Sequence, residues 1–108
     1  MTREEFIQVL DKKGYSYKIE GDNIVVTHGG SVWLDSLTSL PPGVEFNNKE
    51  DVYLDRLTSL SPDVVFNNGR DVKLNSLIGG HFNKWEGNIR GIDDKSLLNL
   101  MISKGMFI

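Results

Sequence analysis

Cysteine is absent from the chain, and histidine and proline are scarce, with two and three residues among 108. Without cysteine, neither a disulfide nor a thiolate-based zinc site can form. No convergent set of titratable residues can be built around the two histidines, His28 and His81, and no nucleophile elbow, zinc-protease motif or glycine-rich phosphate loop occurs. We therefore expect a protein without catalytic residues, metal ligands or a cofactor.

The sequence also lacks long apolar runs and clusters of basic charge. No stretch is long enough to span a bilayer, and the first residues, Met1–Glu5, lack the apolar core of a signal peptide. Twelve Lys and Arg are spread along the chain against 15 Asp and Glu, which gives a net charge of -3. Surfaces that bind nucleic acid or anionic membranes need clustered basic residues. We expect a cytoplasmic protein that binds neither.

What the sequence does contain is a 20-residue segment written twice. Val32–Asp51 and Val52–Asp71 are identical at 13 of their 20 positions. A further copy restarts at Val72–Leu77, and an earlier half-copy, Ile24–Gly30, aligns with Val44–Glu50. A fixed period of this length is typical of solenoid proteins, in which each repeat forms one coil stacked on the previous coil.

Each repeat carries two short segments of alternating polarity, Val-x-Leu and Val-x-Phe, with Leu-x-x-Leu and turn residues between them. Such segments predict short strands joined by corners. Because stacked strands lie about 4.8 Å apart, identical residues should form columns. The apolar columns would face the core. The columns of Asn47 with Asn67 and of Asn48 with Asn68 predict ladders of hydrogen bonds between amide side chains.

The segment before the repeats has the signals of a helix followed by a hairpin. Thr2-Arg3-Glu4-Glu5 has the form of a capping box, and Gly14 follows two lysines where the helix would end. Ile24–Thr27 predicts the second strand of the hairpin. The first strand is predicted to be half-buried from three alternating apolar residues, Tyr15, Tyr17 and Ile19.

A second helix is predicted after the repeats, with Asp93 or Asp94 as its cap and Gly105 just past its end. The apolar tail Met106–Ile108 would then fold back onto the domain or meet a partner. The residues expected to form the buried face of this helix are Leu97, Leu98, Leu100, Met101 and Ile102.

These signals predict one α+β domain over residues 1–108, mainly β with terminal helices. A helix-hairpin cap (1–23) would precede a short β-solenoid of about three 20-residue coils (24–80), right- or left-handed. A loop and helix (81–108) would cap the far end. Caps are needed because an open end exposes apolar core and unpaired strand edges.

The repeated pattern Leu-Thr-Ser-Leu-(Pro/Ser)-Pro-x-Val-x-Phe-Asn-Asn resembles short repeat proteins of bacterial and of phage or prophage genomes, whose arrays read approximately LTSLPxGVxFNN. Trp85–Ile89 followed by a helix is similar to their usual ending, so the resemblance covers about Ile24 to Phe107. It implies an architecture and a phage-related setting, but no reaction. Bacterial leucine-rich repeats share the Leu-Pro corner. They differ in spacing, because Leu40 and Val44 are four apart where that pattern needs two.

The candidate partner-binding residues are Trp33, Tyr53 and Lys73, the middle residues of the three Val-x-Leu segments. With valine and leucine inward, these side chains would point outward, one above the other. Stacked exposed aromatics beside a lysine are typical of protein-binding hot spots. The alternative is an ordinary surface cross-strand pair, which contributes about 0.2–1 kcal/mol.

Stacked aspartates form two further columns, Asp35 with Asp55 and Asp51 with Asp71. Like charges this close repel each other, so either water screens them at an exposed corner or a cation lies between them. Screening is favoured, because neither a third carboxylate nor stabilising carbonyls can be identified. His28 aligns with Asn48 and Asn68 and is interpreted as a corner residue.

We therefore expect a non-enzymatic module that binds another protein. The resemblance implies a phage or prophage accessory protein that modulates or inhibits a host or defence factor. One alternative is a small enzyme or ligand-binding domain that uses His81, Trp85 and Gly87–Gly91. Another is a structural protein that assembles end to end. The expected oligomeric state is a monomer or a side-by-side homodimer.

Overall fold

A computed structural model of the chain describes residues 1–78 and 95–104. The fold is mixed α+β, with a short helix near each end, as predicted. Among the described residues, no helix is both long and apolar enough to cross a membrane. The elements in chain order are α1 (Arg3–Lys13), β1 (Tyr17–Glu20), β2 (Asn23–Val26), β3 (Val32–Trp33), β4 (Val44–Phe46), β5 (Val52–Tyr53), β6 (Val65–Phe66), β7 (Val72–Lys73), α2 (Asn75–Ile78) and α3 (Lys95–Ser103).

Helix α1 begins and ends at the residues that the sequence predicts. The Thr2 hydroxyl accepts a hydrogen bond from the Glu5 N–H at 3.1 Å, and the Glu5 carboxylate accepts one from the Thr2 N–H at 2.8 Å. Gly14 ends the helix with φ 76°, a left-handed conformation that glycine adopts without strain. The capping box is therefore confirmed.

The strands form two sheets whose parallel pairs follow the sequence repeat. One sheet has the order β1-β2-β4-β6, with β1 antiparallel to β2, and the other has the order β3-β5-β7. In the parallel pairs each residue lies opposite the residue 20 positions later, as in Ile24 with Val44 and Val32 with Val52. The alignment of the half-copy Ile24–Gly30 with the later repeats is thus the register of the sheet.

The core lies between these sheets and is built from the predicted columns. The Val and Leu of every Val-x-Leu segment have no exposed surface. The rings of Phe46 and Phe66 stack with their centroids 5.1 Å apart and their planes 5° apart. On the N-terminal side, Phe6 and Leu10 of α1 belong to the same core and cover its first layer. Removing such large side chains from water supplies most of the folding free energy.

Two side chains bond to sheet edges that no further strand of residues 1–78 and 95–104 covers. The Tyr15 hydroxyl accepts the N–H of Trp33 at 3.0 Å, at the outer edge of β3. At β6, the amide of Asn99 accepts the Phe66 N–H at 2.9 Å and donates to the Phe66 carbonyl at 3.0 Å. One side-chain amide thus takes the place of a peptide group from a following strand.

Three expectations differ from the structure in detail. Tyr15 precedes β1 rather than belonging to it, and Ile19 is 47% exposed because β1 is the outer strand of its sheet. In α3, Ile102 is buried and Met101 packs against the core, but Leu100 is 53% exposed and faces away from it. Within residues 99–103 of α3, the buried side is therefore the one that carries Ile102.

The asparagine columns do not form amide-to-amide ladders. Asn47 and Asn67 are exposed. The Nδ2 of Asn48 lies 3.0–3.3 Å from the carbonyls of Gly30, Glu50 and Asp51. Asn68 repeats this arrangement one repeat later. Buried backbone carbonyls at the corner need donors, so the amides satisfy the backbone instead of each other.

Several predicted features lie outside the described residues. They are the side chains of Leu97 and Leu98, the loop residues His81, Trp85 and Gly87–Gly91, the cap Asp93 or Asp94, the helix end at Gly105 and the tail Met106–Ile108.

Candidate functional site

Trp33, Tyr53 and Lys73 lie in one column on the outer side of the sheet β3-β5-β7. The rings of Trp33 and Tyr53 stack with their centroids 3.8 Å apart and their planes 5° apart. The Nζ of Lys73 lies 5.8 Å from the centroid of the Tyr53 ring, within the range of a cation–π interaction. The fold therefore brings all three candidate residues into one column, with Tyr53 between Trp33 and Lys73.

The open part of this column is the ring of Trp33. Trp33 is 49% exposed, whereas Tyr53 and Lys73 are half-buried. Tyr53 covers one face of the Trp33 ring, so the exposed area belongs to its opposite face and its rim. Tryptophan is the aromatic side chain that binds cations and apolar groups most strongly, and here it lies at the end of the stack.

Tyr53 is held in place by its hydroxyl group. The hydroxyl donates to Asp51 Oδ2 at 3.1 Å. This hydrogen bond, followed by burial and by the negative charges of Asp51, Asp71 and Asp55, raises the pKa of Tyr53 above its ordinary value. The phenol therefore stays neutral at physiological pH, and the ring is fixed from its edge as well as from both faces.

Both carboxylate oxygens of Asp51 accept hydrogen bonds. Besides the phenol on Oδ2, its Oδ1 accepts the backbone N–H of Asp71 at 2.9 Å. The Ser31 hydroxyl accepts the Asp51 N–H one repeat earlier, at 3.3 Å. No three His, Asp or Glu side chains within residues 1–78 and 95–104 are placed to hold a metal ion. The Asp51 charge is thus stabilised by hydrogen bonds from the following repeat and from Tyr53.

Acidic residues flank the aromatic column on both sides. The charges of Asp51, Asp71 and Asp55 act on Tyr53, since each of them raises the pKa of its hydroxyl. Asp35 and Asp55 follow Trp33 and Tyr53 by two positions, and Asp51 and Asp71 precede Tyr53 and Lys73 by two. Asp35 is exposed and the other three are half-buried. From the sequence these aspartates are recognisable only as charge columns, because their effect on the Tyr53 ring depends on the turns that follow and precede the two-residue strands.

His28 lies at the corner that its alignment with Asn48 predicts. It is half-buried, and its ring is 4.7 Å from that of Tyr15 at an angle of 48°. Its carbonyl accepts the N–H of Lys49 at 3.3 Å. These contacts are those of a residue that closes a corner.

No protein-family model matches the chain, and no significant similarity to a curated protein or to a solved structure was found. The described site must therefore be judged from its own chemistry. It combines a rigid aromatic stack, one open indole face and flanking carboxylates. Such a surface can bind another molecule by stacking and by charge.

Proposed function

We propose that the protein is a non-enzymatic module that binds another protein through Trp33, Tyr53 and Lys73. The observation that carries this proposal is the stacked pair of rings, with Trp33 49% exposed at its end. Aromatic residues held rigidly at a surface lose little conformational entropy on binding and dominate many protein interfaces.

We further propose that the repeats form a short β-solenoid of about three coils that serves as the rigid support of this site. The parallel pairing in both sheets with a register of 20 residues supports this architecture. A support of this kind holds Trp33 and Tyr53 on strands rather than on loops, which keeps the site in one geometry.

The setting implied by the resemblance completes the proposal. A cytoplasmic phage or prophage accessory protein acts by binding a host or defence factor, which requires a binding surface and no catalytic group. The hydrogen-bonded edges at Trp33 and Phe66 favour this role over end-to-end assembly.

The test is capture of a partner by the purified, tagged protein from cells of its native host, followed by mass spectrometry. Trp33→Thr/Tyr53→Thr should abolish capture while the circular dichroism spectrum stays that of the wild type, because threonine retains the strand preference of these positions.

The matched control is Ile19→Ser/Leu100→Ser, which removes two exposed apolar side chains away from the site. It should leave capture unchanged. If both double variants lose the partner equally, or if neither does, the proposed binding site is wrong.

A further inference from the structure

We infer that the partner contributes a cationic segment to this site, with an arginine side chain stacked on the open face of Trp33 beside the flanking aspartates. This inference rests on the proposed function, because it names the chemistry of the partner that binds there. It follows from the charge around the aromatic column and from the geometry of the column itself.

Acidic side chains are frequent beside this column. The outward positions of β3, β5 and β7 and the residues next to these strands carry four carboxylates and one ammonium group. The residues concerned are Asp35, Asp51, Asp55, Asp71 and Lys73.

The carboxylates interact with the aromatic column itself. The Tyr53 hydroxyl donates a hydrogen bond to Asp51, and the charges of Asp55 and Asp71 also raise the pKa of Tyr53. Negative charge beside an aromatic ring adds to the negative potential of the ring face. The face of Trp33 that Tyr53 leaves uncovered is therefore a favourable position for a cation.

The protein already uses this chemistry once within the column. Lys73 places its ammonium group over the Tyr53 ring at 5.8 Å, on the side away from Trp33. The stack thus has a cation at one end and an open ring at the other. A partner arginine at Trp33 would complete the same arrangement.

Arginine fits this position better than the other candidates. Its planar guanidinium group stacks on an indole ring and donates to carboxylates at its edge at the same time. Phosphate groups are repelled by the aspartates. A second copy of this chain would bring the same four carboxylates against this face, which opposes a two-fold contact here.

The inference is tested with blocked tripeptides as probes, acetyl-Gly-Xaa-Gly-amide, in which Xaa is arginine, lysine, citrulline or glutamate. Citrulline has the shape of arginine without its charge. Binding is followed by the shift of the Trp33 indole N–H signal in two-dimensional NMR spectra, assigned with Trp33→Phe. We expect a saturable shift with the arginine peptide, a smaller one with lysine, and none with citrulline or glutamate.

Two substitutions test the electrostatic part. Asp35→Asn should weaken binding of the arginine peptide by about two- to fivefold, the worth of one exposed cation–π or charge contact. Lys73→Gln should strengthen it, because it removes a cation from the same column. Glu4→Gln removes the same charge from an exposed position of α1 and should leave binding of the arginine peptide unchanged.

The outcomes separate the inference from the proposed function. A citrulline peptide that binds as well as the arginine peptide, no saturable shift with the arginine peptide, or a Lys73→Gln protein that binds it more weakly would overturn the inference. If captured partner is also lost with Trp33→Thr/Tyr53→Thr but resists competition by the arginine peptide, the site binds protein by apolar contact alone. If capture does not depend on the two rings at all, the proposed function fails.

Discussion

At the scale of single residues, equivalent positions of the repeats hold different side chains for physical reasons. Gly29, Lys49 and Gly69 align with each other. A Cβ atom added to Gly29 would meet nothing within 4 Å, whereas one added to Gly69 would collide with the backbone carbonyl of Lys49. The backbone at Gly69 therefore lies close to that of Lys49 in the preceding repeat, whereas there is space around Gly29.

Gly69→Ala is predicted to destabilise the protein by about 1–3 kcal/mol, the usual cost of forcing extra volume into a tight contact. Gly29→Ala is the matched control and should be neutral or slightly stabilising, because alanine reduces the entropy of the unfolded chain. Urea unfolding monitored by circular dichroism measures both. Equal effects of the two substitutions would show that the backbone at Lys49 leaves room for a methyl group at position 69.

The inward and outward sides of the sheet β3-β5-β7 can be tested in the same way. Leu54 is fully buried and packed between Leu34 and Leu74, so Leu54→Ala should cost about 2–5 kcal/mol. Lys73→Ala lies on the outer side and should change stability by less than about 0.5 kcal/mol. Thermal melts that show both variants equally mild would contradict the assignment of the two sides.

At the scale of elements, side-chain hydrogen bonds stabilise the beginning of α1 and the edges of the two sheets. In α1 the hydrogen bonds from the Thr2 backbone and side chain lower the pKa of Glu5. In the sheets the edges of β3 and β6 depend on Tyr15 and Asn99. The contact in α1 is local in sequence, whereas those at the sheet edges join distant residues.

The lowered pKa of Glu5 predicts how α1 responds to acid. A group whose pKa is lower in the folded state stabilises the fold fully above its unfolded pKa, here 4.5, and this contribution is lost as the pH falls through the folded pKa. Glu5→Gln keeps the capping box but cannot titrate. Unfolding free energy measured between pH 7 and pH 3 should therefore fall less in Glu5→Gln than in the wild type. An identical fall would show that Glu5 is not linked to folding.

Asn99→Ala should destabilise the protein by about 1–3 kcal/mol, because the Phe66 N–H and carbonyl lose their partners at the edge of β6. Ser103→Ala on the exposed end of the same helix is the control, since its hydroxyl bonds only within the helix. The melting temperatures of the two variants, each compared with the wild type, measure this difference in stability. A loss in Asn99→Ala no larger than in Ser103→Ala would mean that water replaces the amide at no cost.

At the scale of the whole molecule, the acidic face bears on association. A two-fold dimer through Trp33 and Tyr53 was one of the two oligomeric states expected from the sequence. The four flanking carboxylates oppose it, because each copy would present the same charge to the other. The apolar tail Met106–Ile108, the other candidate for a dimer contact, lies outside the described residues.

Light scattering is therefore predicted to give a monomer for the wild type at physiological ionic strength, and Trp33→Ser/Tyr53→Ser should scatter identically. High salt screens the carboxylates and is the condition most favourable to a dimer. A wild-type dimer that the double substitution dissociates would show that a second copy binds this face, and would contradict the arginine inference as well.

The sequence by itself determined the period, the register and the direction of the repeated side chains. Because the repeat has a fixed period of 20 residues, equivalent residues of successive strands lie side by side, and the alignment of Val32 with Val52 is also their pairing. The capping box of α1 was readable for a similar reason, because its contacts span only three residues.

Only the tertiary structure decided how the repeats end and what surrounds the aromatic column. The contact of Asn99 with Phe66 joins residues 33 apart, and that of Tyr15 with Trp33 joins residues 18 apart. No neighbouring repeat predicts such contacts, because they lie where the repetition stops. The exposure of Ile19 and Leu100 has the same origin, whereas the bonding of the Asn48 amide to backbone carbonyls recurs at Asn68 and is set by the corner of each repeat. Each depends on which polar or apolar surface happens to lie next to it once the chain is folded.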